Sequence, residues 1–533
     1  MKNSRLYNLI FVLILVAYVA YAGVYIFESS FVVDGRRYFV LFDDAMISMT
    51  YARNVVRGLG PVWNPGERVE GFTNPLWVAF MALIHLLPLP AALISLPVQI
   101  AGGVFFIASL YFTKKVAETI STGPLVPLLS VLVTAFYGQL STWSLLGMEV
   151  SVLLLITTAA TWLSIRQMRG EPFTPWLYVL LGVGTLVRLD MAVPYLAILS
   201  FLAVADVANR KQHVLWGGGL FVAFMGGQTL LRWLYYGELL PNTYYLKVTG
   251  APLLLVLKRG VFVFAKFVWN FNPALFILPF LVVLARGEKA TRLMTWVFAA
   301  FCAYSIYVGG DSWESKGGAN RFISTGIPLF FVLFAWSLEQ IRKALFSDQP
   351  SGLARRLSAL GVIAVALIGL VNFNALLDTS SLKYWLLLER HPFIPGSERY
   401  VRIAHLVEQV STPEARVAVV TAGIIPYFSD RYAIDLLGKS DKVIAREPMH
   451  LIPALPLIDL RPGHMKWDYA YSIGQLQPDV IAQMYSQSPK EERERWVAGY
   501  TPLVVDTITF YVRNGSPYVR WEAVEKLKSA AQP

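Results

Sequence analysis

Apolar runs long enough to cross a bilayer recur along this chain, and nothing else in it constrains the fold as strongly. The first, Leu6–Phe27, holds about 20 residues without a charged side chain, the length that spans a hydrocarbon core. Further runs lie near 124–138, 149–165, 174–187, 191–205, 214–232, 271–286, 293–308, 323–341 and 357–377. In lipid every backbone N–H and C=O must be satisfied within the segment, so these runs are expected to be helices. Of the 533 residues 56% are hydrophobic and 15% charged, against roughly 25% charged in a soluble domain. The expected fold class is an α-helical polytopic membrane protein with about 11–13 transmembrane helices.

The net charge of +11 does not form one basic face, which argues against a nucleic-acid partner. The cations fall in short clusters beside apolar runs: Arg166/Arg169, Arg210/Lys211, Arg286/Lys289/Arg292, Arg342/Lys343 and Arg355/Arg356. That is the positive-inside pattern of cytoplasmic loops. Lys2 and Arg5 precede the first run, and Ala20-Tyr21-Ala22 has the small residues of a cleavage site. With polytopic neighbours following, the run is expected to be an uncleaved signal-anchor with its N-terminus inside. The one cysteine, Cys302, excludes an intrachain disulfide.

Placing the basic clusters inside puts 28–74, 138–148, 188–190, 233–270, 309–322 and everything after about 378 on the outer side. Residues 75–113 form two apolar pieces broken by Pro88, Pro90 and Pro97, one of them a half-helix or interfacial segment. The segment 345–356 is expected to be a polar loop. Beyond it the character changes. Val417–Val420, Ala433–Leu437 and Pro502–Val512 read as strands among helix-permissive stretches such as 488–498. Two domains are expected: 1–377, a transmembrane catalytic module that includes outer loop 28–74, and 378–533, an extracytoplasmic α/β domain.

The outer loop carries the chemistry. Asp43 and Asp44 open a segment in which Met46, Met49, Arg53 and Val56 can share one face, stopping at Gly58, a natural helix C′ residue. It is expected to be an amphipathic helix on the membrane surface. Asp44 could serve merely as its cap, which would account for one carboxylate but not for two. Other polar motifs sit at outer helix ends: Gly147–Glu149, Val187–Asp190, Tyr236–Lys247 and Gly309–Phe322. They supply Glu149, Arg188, Asp190, Asn242, Tyr244, Lys247, Asp311 and Arg321 as candidate donor-phosphate or substrate contacts. Each has a plainer role beside it. Arg188 and Asp190 could pair with each other, because an unpaired charge between apolar runs is expensive. Lys247 and Arg321 could be interfacial cations that snorkel. Tyr235, Tyr236, Tyr244 and Tyr245 could form an aromatic belt.

This set suits glycosyl transfer. An acceptor hydroxyl needs a carboxylate base in reach as the new bond forms, and a departing lipid phosphate needs cations for its developing charge. No zinc-type His/Cys spacing, phosphate-cradling glycine loop or nucleophile elbow is present. No cofactor is required by the pattern, although a divalent cation (Mg, Mn or Ca) on the carboxylates stays open.

The ordered motifs LFDDAMISMTYARN, VWNPGERVEGFTNPLW, LLGME, LVRLD, LPNTYYLK, VGGD, TAGIIPYFSDRYAIDLLGKSD and PGHMKWD resemble the GT-C glycosyltransferases. Within that superfamily they are most similar to the group of the mycobacterial terminal arabinofuranosyltransferase and its uncharacterised bacterial relatives. The resemblance implies an inverting transfer from a polyprenyl-phosphate sugar, with Asp43 or Asp44 as base. It also implies a cell-envelope glycan, glycolipid or protein acceptor, and a multi-pass bacterial inner-membrane enzyme whose active site faces out. The chain departs from the family pattern at Leu189, where a proline is common, and at Ser312–Asn320, which stretches the spacing to Arg321. A polytopic transporter or lipid flippase is the alternative function, and a non-catalytic assembly or acceptor-binding protein a third. Lys442, Arg446, His464 and Lys466 could line a groove, but are expected to be solvated surface.

Overall fold

The computed structural model describes residues 5–530 except 313, 315–319, 347–351, 377–378 and 452–455. Most of the stretched insert before Arg321, part of the polar loop 345–356 and the expected boundary at 377/378 thus lie outside the described residues. The chain divides into two compact units. The first comprises residues up to Glu28, Gln99–Leu230 and Leu253–Arg390; the second comprises Ser29–Val98, Leu231–Pro252 and His391 onward.

The first unit is helical. Helix α1 (Arg5–Glu28) is about 36 Å long at 1.5 Å per residue. It buries Tyr7, Phe11, Tyr18, Ala22 and Tyr25, a stripe at helical spacing. It leaves Leu6, Leu9, Leu13 and Val16 exposed, as a lipid-facing side requires. Among the described residues of the whole chain five helices are long and apolar enough to cross a membrane, up to seven if each bent pair is one span, with four shorter apolar helices besides. One bent pair is Leu125–Ala135 with Gly138–Leu145, at 55°. The expected loop 138–148 is therefore largely helix, and Leu140–Leu145 is buried throughout. Phenylalanine stacking fills the interior: Phe271 lies on Phe373 at 4.2 Å and Phe276 on Phe330 at 5.4 Å between ring centroids.

The expected outer loop 233–270 is corrected most. It contains a helix, Leu253–Asn270, preceded by the short helix Asn242–Val248. Lys258, Arg259 and Lys266 interrupt the hydropathy of this stretch, and Arg259 is tolerated because Glu314 neutralises it inside the unit (3.2 Å).

The second unit holds the α/β part. Strands β1 (Phe31–Val33) and β2 (Arg36–Tyr38) form a hairpin. Its turn residues Asp34 and Gly35 both have positive φ, the conformation of tight hairpin turns that suits Asp-Gly. Helix α2 (Asp43–Val56) and helix α3 (Pro75–His85) follow, and helix α4 (Ser95–Ile120) leads into the first unit. The broken stretch 75–113 is thus one short helix and one long one. At 11 residues α3 reaches about 16 Å, half a bilayer core.

The later strands are β3 (Arg416–Val419), β4 (Tyr432–Asp435), β5 (Val480–Ile481), β6 (Tyr500–Val505) and β7 (Ile508–Arg513), in the order β4-β3-β5-β7-β6. β3 pairs in parallel with β4 and β5, and β7 runs antiparallel to β5 and β6. The expected strand 502–512 is this β6–β7 hairpin, and 490–497 is helical as expected. Ala418, Ile434, Trp467, Tyr469 and Ile481 form the core under the sheet. The chain is an α-helical polytopic membrane protein with a C-terminal α/β domain.

Candidate active site

Asp43 and Asp44 occupy the first turn of α2, where carboxylates complement the positive end of the helix. The N-cap is Phe42 and no side chain caps the helix, so capping does not account for Asp44. Nor is α2 amphipathic: Ala45 through Ala52 are all buried, and only its last turn is open. The expected one-sided face gives way because the α/β domain and α3 belong to the same compact unit as this loop.

Each carboxylate has its own environment. Asp43 Oδ1 accepts hydrogen bonds from the backbone N–H of Gly423 (3.1 Å) and Ile424 (2.8 Å), at the start of the helix Ile424–Ser429. Only glycine fits there, since a Cβ on residue 423 would stand 1.9 Å from the Asp43 carbonyl oxygen. Asp44 Oδ1 instead lies 3.2 Å from Lys439 Nζ. At its far end α2 is tied down by Arg53 and Arg57, both ion-paired to Asp430 at 2.9 Å.

Lys439 is presented by a rigid loop. Asp435, ending β4, accepts from the N–H of Leu437 (3.0 Å) and Ser440 (2.7 Å). Gly438 takes φ +77° between them. Asn242 Nδ2 donates to the carbonyl oxygens of Gly438, Lys439 and Asp441, at 2.9 to 3.1 Å. Asn242, expected as a substrate contact, is therefore a buried clamp on the lysine loop. Lys247 runs against Gly463, its Cε 3.3 Å from where a Cβ on that residue would lie. His464 comes next. Tyr244 is exposed and meets Tyr245 edge-on at 5.9 Å.

The electrostatics follow. Burial pushes Asp43 up to about 6, opposed by Lys439 and the two backbone amides, with Asp44 adding to the rise. Burial works against the Lys439 ammonium, but Asp44, Asp43 and Asp435 outweigh it and hold it above its ordinary value. Burial brings His464 down to about 3, Lys439 and Lys247 adding to the effect against Asp44. The imidazole is thus neutral across the working range. Lys439 and His464 were not singled out as site residues from the sequence. Both lie in motifs of the ordered set, TAGIIPYFSDRYAIDLLGKSD and PGHMKWD, but nothing local gives either a role, and only the fold brings Lys439 to the acidic pair.

Lys466 corrects the expectation of a solvated surface. It is fully buried, donating to the carbonyl oxygens of Tyr245 (2.9 Å) and Ala445 (2.8 Å) and to Thr249 Oγ1 (3.3 Å). Burial brings it down to about 8. Lys442 and Arg446 stay more open and pair with Glu238.

The remaining candidates lie in the first unit. Arg188 pairs with Glu149 (3.4 Å) and Asp190 (3.0 Å). Arg321 grips Asp311 with two hydrogen bonds of 2.8 and 3.0 Å, and its guanidinium lies 5.3 Å over the Trp143 ring. Arg259 and Glu314, which the sequence reading missed, complete a buried network of three guanidinium groups and four carboxylates. The plainer pairing of Arg188 with Asp190 is present, extended to Glu149.

Among the described residues no group of three or more His, Cys, Asp or Glu is arranged for a metal ion. At the acidic pair the Lys439 ammonium stands against Asp44 Oδ1, and two backbone amides take Asp43 Oδ1.

Residues 392–523 match a family model described as a domain of unknown function, DUF8728. No curated protein matches. Among solved structures the chain is similar to ArnT from Cupriavidus metallidurans bound to undecaprenyl phosphate: TM-score 0.54, 12% identity, covering 94% of this chain and 98% of that one. It is also similar to the Archaeoglobus fulgidus oligosaccharyltransferase tethered with an acceptor peptide: TM-score 0.57, 11% identity, covering 98% and 75%. The chain has the GT-C fold. The acidic pair, Lys439 and His464 lie in one compact unit, and the arginine network lies in the other.

Proposed function

We propose that the protein is a membrane glycosyltransferase that transfers a sugar from a polyprenyl-phosphate donor to a cell-envelope glycan, glycolipid or protein acceptor. The carrying observation is the Asp44–Lys439 pair, a carboxylate held 3.2 Å from a half-buried ammonium in a chain with the GT-C fold. Asp44 is the base. It takes the proton of the acceptor hydroxyl as that oxygen attacks the anomeric carbon. The bond from the anomeric carbon to the phosphate oxygen breaks, and the polyprenyl phosphate leaves with the electron pair. Attack opposite the leaving group inverts the anomeric centre. Lys439 orients Asp44 from 3.2 Å, while Asp43, held by two amides, fixes the start of α2. Arg188 and Arg321, guanidinium groups of the kind that bind phosphate oxygens, are the first residues to test for a part in donor binding. The active site and the α/β domain face outward from a bacterial inner membrane, and arabinofuranose is the first donor sugar to try.

The test is transfer by the protein in nanodiscs from a panel of radiolabelled polyprenyl-phosphate sugars, with envelope extract as acceptor. Incorporation from one donor is expected. No incorporation from any donor by folded protein sinks the proposal. The two bent helix pairs favour a transporter as the second reading, since broken helices line many transport sites. Substrate uptake abolished by Arg188→Ala would then replace transfer as the activity.

The pH profile follows from Asp43. Above pH 6 its carboxylate is ionised and holds the Gly423 and Ile424 amides; below, protonation weakens that hold. Transfer is expected to fall as pH drops through about 6. In Asp43→Asn this acid limb disappears; in His464→Gln it stays. Stability runs the other way. A carboxyl raised above its unfolded value of about 3.9 binds its proton more tightly in the fold, so Asp43's contribution shrinks as pH rises from about 4 to 6. Rate profiles and melting curves over this window check both signs.

A further inference from the structure

A cleft lies in the α/β-containing unit, with a volume of about 1250 Å³. Drug-sized ligand pockets run to about 300–1,000 Å³, so it admits more than a single small group. Asp43, Asp44, Lys439 and His464 do not line it. One wall is apolar, the segment Pro90–Leu93 that links α3 to α4; the others carry Arg36, Arg37, Arg431 and Arg520. Against these four cations stand two carboxylates, Asp34 and Glu408, so the lining holds an excess of two positive charges apart from His405.

The walls are built rather than incidental. Arg36 and Arg37 ride on β2, whose register the Asp34–Gly35 turn sets. His405 fastens this hairpin, with Nδ1 2.9 Å from Asp34 Oδ2 and Nε2 3.1 Å from the Tyr38 hydroxyl. The Phe39 N–H donates to the Ala92 carbonyl oxygen (2.8 Å), which joins the hairpin to the apolar wall. Arg431 is held by the carbonyl oxygens of Ser429 (2.9 Å) and Ser411 (3.1 Å). Arg520 donates to the Glu408 carbonyl oxygen (3.2 Å). Burial lowers Arg431 below its ordinary value; Glu408 opposes this and Arg520 adds to it. Arg431 and Arg520 thus bring like charge to the same cleft.

Guanidinium groups bind phosphate oxygens in a two-pronged geometry. An apolar wall beside them fits a ligand that is charged at one end and greasy at the other. The hairpin starts at Phe31, just after the apolar helix α1 ends at Glu28, which favours an amphiphile delivered by the bilayer. We propose that this cleft binds a phosphate-bearing headgroup, its phosphate on Arg36, Arg37 and Arg520 and its apolar remainder along Pro90–Leu93. This assignment does not depend on the glycosyl-transfer reading.

Native mass spectrometry of the full chain, equilibrated with equal dioleoyl phosphatidylglycerol and dioleoyl phosphatidylcholine, tests it. The wild type is expected to retain the anionic lipid about tenfold more, the equivalent of one charge-assisted contact. The triple variant Arg36→Gln/Arg37→Gln/Arg520→Gln should fall to near parity, while Lys526→Gln, away from the cleft, keeps the preference. The single Arg36→Gln, at an exposed strand position, reads the same loss at about threefold if the triple variant is unstable. Glycerol 3-phosphate is added in a second arm. Displacement of the lipid assigns the site to soluble phosphate esters, and persistence assigns it to the lipid headgroup; both support a phosphate site. Parity of the two lipids in the wild type with no binding of glycerol 3-phosphate overturns the proposal. So does a preference that survives in the triple variant.

Discussion

Asp44→Asn is expected to cut sugar transfer by about 10²–10⁴-fold, the usual contribution of a positioned general base, with donor binding retained. The substitution keeps the size of the side chain and the start of α2, but an amide cannot take the acceptor proton. It also leaves Lys439, 3.2 Å away, facing a neutral group. Asp43→Asn should cost less. Its amide oxygen can still accept from the Gly423 and Ile424 N–H groups, so the loss is expected to stay within about tenfold and to remove the acid limb. Single-turnover rates with pre-bound donor separate chemistry from binding. Equal losses in the two variants would show that the carboxylates act as a pair, and full activity in Asp44→Asn would remove it from the reaction.

Arg321→Met is expected to destabilise the membrane unit by about 3–5 kcal/mol, the cost of leaving one member of a buried ion pair without its partner. The uncovered group is Asp311, 2% exposed. A second substitution distinguishes structural from functional use. In Arg321→Met/Asp311→Leu no charge is stranded, and replacing a buried pair by apolar side chains is often neutral. Thermal denaturation in detergent should show the double variant regaining most of the lost stability. Transfer should stay low in it if Arg321 meets the donor phosphate, and return with stability if the pair is only structural. A single variant as stable as wild type would mean that water reaches Asp311.

The apolar runs determined the membrane class directly, because hydropathy over about 20 residues is a local property that lipid reads segment by segment. Most helix positions and the strands at 416–419 and 432–435 were legible for the same reason, from local pattern. The helix Leu253–Asn270 was not, since its cations mask it and only Glu314, far along the chain, makes Arg259 tolerable there. Asp43 and Asp44 stood out as an acidic pair beside apolar residues. Their different environments did not, because the Gly423 and Ile424 amides and the Lys439 ammonium come from some 380 to 395 residues further on. Lys466 was misread for a related reason: a lysine's composition says solvent, and only three converging acceptors make its burial affordable. By itself, then, the sequence determined where most of the apolar helices lie, where the chain becomes α/β, and which carboxylates to suspect. Only the tertiary structure decided which cation meets which carboxylate. Burial and charge pairing depend on contacts between distant segments, and those no local pattern encodes.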